Sequence, residues 1–163
     1  ALVAASIWEE SQHWLKRGGG AKSKKRGPAE KAAALERAMA VIARLVKGGM
    51  LVYTDGASIN NPGPAGAGVH FDGSGAGLPP QAWALGKASN NTAELFAIGA
   101  ASESIMVARE AGLSKTERAF ILSDSDNGLG RIAGAYVQGE EELLTKVRRA
   151  VKRCRAQGPL CLF

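Results

Sequence analysis

The chain has 163 residues, is 45% hydrophobic, and carries 21 Lys/Arg against 15 Asp/Glu for a net charge of +6. That length allows one domain with a real core and an extra segment. No apolar run approaches the ~20 residues of a membrane span. Two cysteines, Cys154 and Cys161, are too few for a disulfide framework and lack paired metal-ligand spacing, so they read as small apolar residues of a protein from a reducing intracellular compartment.

The charge is unevenly placed. Residues 1–49 hold ten Lys/Arg and four Asp/Glu, whereas residues 50–163 hold eleven of each. The excess therefore sits in front of a balanced domain, which is the footprint of a polyanion partner or, more blandly, of a solubilising tail. The boundaries expected are a basic helical extension over 1–49, with a linker at 18–28, and an α/β domain over 50–163. In the extension, Ile7, Trp8, Trp14 and Leu15 could line one side of a short helix. The stretch GGGAKSKKRGP mixes glycines with Lys22, Lys24, Lys25 and Arg26 and reads as a flexible linker. Pro28 then opens a helix ending at Lys47 before a glycine pair, with Leu35, Met39, Ile42, Leu45 and Val46 at helical spacing. That stripe should be buried on the domain or on a protein partner.

From residue 50 the period changes. MLVYTDGAS, AGAGVHF and QAWALG are short β-type runs separated by the turn sequences NNPGPAG and DGSGAGLPP, which predicts a three-stranded meander. Asn91 to Ala111 predicts a long helix, RAFILSDS a buried strand, NGLGRIAGAYV a short glycine-weakened helix and GEEELLTKVRRAVKRCRAQG a stronger one, and PLCLF a last strand. The order β-β-β-α-β-α-α-β points to an α/β domain with a mixed sheet.

Three acids occupy special places in this pattern. Asp55 ends LVYT, Asp124 ends AFILS, and Glu94 lies in the first turn of the long helix. Carboxylates at strand ends stand at the open rim of such a sheet, where sites are commonly built. Singly, each is more often a cap or a turn residue. Clustered, they would repel one another, and a hard divalent cation such as Mg²⁺ is the natural compensation.

TDGASINNPGPAGAGV, then SNNTAEL, then ILSDS resemble, in order and spacing, the three motifs of the type 1 ribonuclease H family, over about Leu51 to Phe163. The resemblance implies a ribonuclease H-like α/β fold, a mixed five-stranded sheet flanked by helices. It also implies a two-metal Mg²⁺ site on Asp55, Glu94 and Asp124 that cuts RNA paired to DNA. By the same carry-over Asn61, Asn90 and Asn91 would lie along the minor groove, with turn and cap chemistry as their plainer role. Lys146, Arg148, Arg149, Lys152, Arg153 and Arg155 follow one another without an intervening acid. With Lys22, Lys24, Lys25 and Arg26 they would neutralise phosphates, unless they are simply a solvated helix surface.

Two departures from the family pattern set further expectations. The pattern continues past the last strand with a histidine loop and a helix bearing a fourth carboxylate, while the sequence as given stops at Phe163. Neither His13 nor His70 maps onto that histidine, and Asp126 matches an ordinary helix start rather than a replacement ligand. The second Mg²⁺ ion should then be weakly held. The long basic insertion of many cellular members is also missing, as in the trimmed domains of reverse transcriptases and retroelements. Two functions follow: a nuclease of RNA/DNA hybrids, or a weak or inactive fold of this kind that binds structured RNA within a ribonucleoprotein such as a ribosome.

Overall fold

The computed structural model describes residues 27–112, 118–134 and 141–162. Helix α1 (Pro28–Gly48) leads into strands β1 (Gly49–Ser58), β2 (Gly63–Gly73) and β3 (Gln81–Ala88). Then come α2 (Asn90–Glu110), β4 (Arg118–Ser123), α3 (Asp126–Ile132), α4 (Glu141–Gln157) and β5 (Leu160–Leu162). The expected order of elements is observed. The basic run from Lys22 to Arg26 and the apolar residues Ile7, Trp8, Trp14 and Leu15 lie outside the described residues, as does the expected helical continuation through Tyr136.

The sheet has the order β3-β2-β1-β4-β5. Its first three strands form the antiparallel meander, and β1–β4 and β4–β5 are parallel. Each parallel step needs a crossover, made by α2 in the first case and by α3 with α4 in the second. This mixed sheet flanked by helices is the fold class read from the sequence.

Strand alternation sends side chains to two unlike faces. Met50, Val52, Val69, Phe71 and Ile121 join Leu95, Ile98 and Ile105 of α2 and Val147, Val151 and Cys154 of α4 in the main core. Gly99 marks the crossing of these two helices, since a Cβ there would come within 2.9 Å of a Val147 methyl. On the other face Leu51 and Phe120 pack beneath Leu45 of α1, and Val41, Ile42, Val46, Tyr53, Leu122 and Cys161 are half-buried around them. Burial of each large side chain is worth ~1.5 to 3 kcal/mol.

Only the last turns of α1 make that contact. Leu45 is buried and Ile42 half-buried, but Leu35 is 65% and Met39 60% exposed, so the expected burial of the whole stripe stops at Ile42. The helix starts at Gly27, whose backbone N–H donates to the Glu30 side chain at 3.2 Å.

At the far end of the sheet, Arg109 closes the structure. It is 2% exposed at the end of α2, and its guanidinium donates to the carbonyls of Cys154 (3.3 Å) and Pro159 (2.6 Å). One side chain thereby fastens the end of α4 and the entry to β5. No helix among the described residues is long and apolar enough to cross a membrane.

Candidate metal centre

Thr54 of β1 stands opposite Ser123 of β4 in the parallel register, so the next residues, Asp55 and Asp124, leave the sheet side by side. The Thr54 hydroxyl donates to the Leu122 carbonyl at 3.1 Å and pins the two strands together just below them. Beyond Asp124 the chain turns at once into α3. The Ser123 hydroxyl accepts from the Ser125 N–H at 3.1 Å, and the Ser125 hydroxyl caps the helix by accepting from the Gly128 N–H at 3.0 Å.

Glu94 reaches the pair from α2. That helix begins at Ser89, whose hydroxyl accepts from the Thr92 N–H at 3.1 Å, and one turn of rise then sets Glu94 over the end of β1. The approach is close. A Cβ at Gly56 would lie 2.3 Å from the Ala93 carbonyl carbon and 2.4 Å from the Glu94 nitrogen, so only glycine fits. Ligand oxygens of Asp55, Glu94 and Asp124 all lie within 4.8 Å of one another, with both aspartates exposed.

Burial pushes the Glu94 carboxyl up from 4.5 to about 7, the neighbouring Asp124 and Asp55 charges push in the same direction, and the Gly56 backbone N–H partly opposes them. Its Oε2 is buried without a hydrogen-bond partner among the described residues. A buried carboxylate oxygen facing two further carboxylates, with no protein donor, fits a hard divalent cation. These three residues would hold it.

Two of the asparagines read as substrate contacts form one web. The Asn61 Oδ1 accepts from the Asn90 N–H at 2.9 Å, and the Asn90 Oδ1 accepts from the Ser58 N–H at 2.7 Å. Ser58 completes it by donating to the Ala88 carbonyl at 2.7 Å. Asn61, Asn90 and Asn91 are all exposed, the last two in the first turn of α2, the helix that carries Glu94. Thus the turn after β1, the end of β3 and the start of α2 are tied together by side chains that still face solvent.

The basic run on α4 divides by role. Arg148 donates to the Arg131 and Ile132 carbonyls and fastens α4 to α3, while Lys146 pairs with Glu142 at 2.8 Å. Lys146, Arg149, Lys152, Arg153 and Arg155 are exposed. His70 is exposed on β2 with its ring 6.2 Å from that of Tyr53, and it is not part of the cluster that gathers Asp55, Glu94 and Asp124. Asp126 opens α3. Sequence reading passed over Gly56, Ser58 and Arg109. The glycine directly after a strand-end aspartate was the available signal for the first, while no local signal marks the other two.

Residues 47–155 match the RNase H family, and the chain belongs to it. Among solved structures it is similar to LC11-RNase H1, a protein isolated from compost by a metagenomic approach, in its complex with RNA/DNA hybrid. That match has 26% identity and a TM-score of 0.56, covering 70% of this chain and 83% of the other. It is similar also to RNase H1 from the halophilic archaeon Halobacterium salinarum, with 26% identity and a TM-score of 0.52, over 70% and 84% of the two chains. The N-terminal RNase H domain of a Mycobacterium tuberculosis protein matches with 26% identity and a TM-score of 0.53, over 69% and 77%. No curated protein is similar enough in sequence to be matched.

Proposed function

We propose that this protein is a metal-dependent endonuclease that cuts the RNA strand of RNA/DNA hybrids. The observation that carries the reading is the convergence of Asp55, Glu94 and Asp124 within 4.8 Å, one of them with a buried and unpartnered oxygen. Two Mg²⁺ ions bound there would activate a water and stabilise the leaving oxygen of a phosphodiester. The three carboxylates would hold the cations, and with only three such ligands the second would be held more weakly than the first.

Around them the chain binds and orients. Asn61, Asn90 and Asn91 line the approach and suit the minor groove of a hybrid, where 2′-hydroxyls distinguish RNA from DNA. The exposed bases of α4, chiefly Lys146, Arg149 and Arg153, with Lys22, Lys24, Lys25 and Arg26 of the N-terminal arm, would neutralise phosphates and supply affinity without sequence choice. The hybrid bound in the LC11-RNase H1 structure supports this choice of substrate.

The test is gel-resolved cleavage of a labelled hybrid in Mg²⁺, with single-stranded RNA and duplex DNA as controls. Asp55→Asn and Asp124→Asn should each lose about a thousandfold in rate, roughly 4 kcal/mol of transition-state stabilisation, while still binding hybrid. Cleavage that survives excess chelator would overturn metal dependence. Tight hybrid binding with no cleavage in any divalent cation would replace the nuclease with a binding component.

A further inference from the structure

The exposed turn between β1 and β2 is closed by one hydroxyl. Ser58, the last residue of β1, is half-buried, and its Oγ donates to the Ala88 carbonyl at 2.7 Å and accepts from the Gly63 N–H at 3.0 Å. It thereby joins the end of β1 to the start of β2 and the end of β3. The backbone in between needs such support. Asn60 stands at φ 58°, in the left-handed region that asparagine tolerates and most side chains avoid.

The same residue sets the direction of two asparagines. A backbone N–H can only donate, so the side-chain atom that faces it must be an oxygen. The Ser58 N–H therefore holds the Asn90 amide with Oδ1 inward at 2.7 Å, and the Asn90 N–H holds the Asn61 amide in the same way at 2.9 Å. Each amide then turns its N–H₂ group outward, and both residues are exposed. The result is a pair of neighbouring donors whose arrangement is fixed by one chain of bonds. A ribose 2′-hydroxyl offers an oxygen to such donors, and deoxyribose has none at that place.

We propose that Ser58 is a positioning residue for recognition of the RNA strand: it touches no nucleic acid, yet it holds the Asn61 and Asn90 donors in one arrangement and so sets the preference for ribose over deoxyribose. The inference rests on the reading of the protein as a nuclease of RNA/DNA hybrids, and deepens it. Each asparagine makes one bond inward, whereas Ser58 bonds to β2, β3 and α2 together. Removing its hydroxyl loosens the arrangement without altering any atom that would meet the substrate.

Titration of a labelled RNA/DNA hybrid and of a DNA duplex of the same sequence, in chelator and with full-length variants, tests this. Ser58→Ala should lose about tenfold in hybrid affinity and little in duplex affinity, so that the preference for hybrid narrows about tenfold. Ser58→Cys, similar in shape but a weak donor, should fall between the two, and it carries the test if the alanine variant does not fold. Adding Ser58→Ala to an Asn61→Ala/Asn90→Ala variant should cost less than about twofold further, because the groups it positions are already gone. Amide NMR spectra give a readout without nucleic acid. In Ser58→Ala the side-chain signals of Asn61 and Asn90 should move toward those of free asparagine, while the core amide signals stay in place. Unmoved asparagine signals, an unchanged preference for hybrid, a loss shared equally by hybrid and duplex, or losses that add in full would each overturn the proposal. A parent protein with no preference for hybrid would instead sink the nuclease reading, and the proposal would fall with it.

Discussion

Glu94 is the residue on which the acidic site turns. Its carboxyl is raised to about 7 chiefly by burial, with Asp124 and Asp55 adding to it. Between about pH 4.5 and 7, therefore, the folded state keeps a proton that the unfolded chain has released, and stability must fall as pH rises through that window. Glu94→Gln removes the charge and with it this loss. In chelator the variant should be more stable than the parent at pH 8, by on the order of 1 kcal/mol after allowance for solvent screening, and the gap should close below pH 5. Mg²⁺ should then raise the melting temperature of the parent more than that of the variant. Thermal melts across the pH range check this, and a gap that does not change with pH would refute it. Asn90 makes a second single-residue case. Its Oδ1 already accepts from the Ser58 N–H, so what it offers outward is its N–H₂ group, a donor only. Asn90→Asp keeps the inward acceptor and loses the outward donor. Its melting temperature should stay near that of the parent while hybrid affinity drops about tenfold. Unchanged affinity in a binding titration would remove Asn90 from the interface.

Among elements, the join of α2, α4 and β5 depends on a buried cation. Arg109 satisfies two carbonyls 45 and 50 residues away in sequence. Arg109→Met would keep much of the side-chain volume and strand those acceptors, at a cost of ~2 to 4 kcal/mol. Urea denaturation measures it, and a loss below half a kcal/mol would show that water replaces the guanidinium freely. This clamp also shows where sequence reading ended. The strands and the long helices were legible because each depends on local pattern, β-branched runs or 3.6-residue spacing, whereas the meeting of Asp55, Glu94 and Asp124 was legible chiefly through the resemblance of their three motifs to the ribonuclease H family, since each acid alone reads as a cap or turn residue. Arg109 on an apolar helix gave no hint of its distant partners. The Ser58–Asn90–Asn61 web was likewise hidden, since its bonds join three turns whose separation only the sheet register fixes. The periodicity of α1 announced an apolar face, but it could not say that the domain would cover only the end of it.

Taken whole, the molecule is lopsided. One face of the sheet is sealed by α2 and α4 over a large core, and the other rests on the small cluster of Leu45, Leu51 and Phe120 under the last turns of α1. Free energy of opening scales with the apolar surface that must be exposed, so the two faces cannot share one unfolding threshold. Amides of α1 should exchange with solvent deuterium through an opening that leaves the sheet intact, at a free energy several kcal/mol below that of β1 and α2, which should exchange only on global unfolding. Native-state hydrogen exchange over a denaturant series would resolve the two classes, and a single shared isotherm would contradict it. A protein built this way comes apart in order. Under heat or urea, α1 should detach before the sheet opens, and among the described residues the strands that carry the acidic residues should be the last structure to be lost.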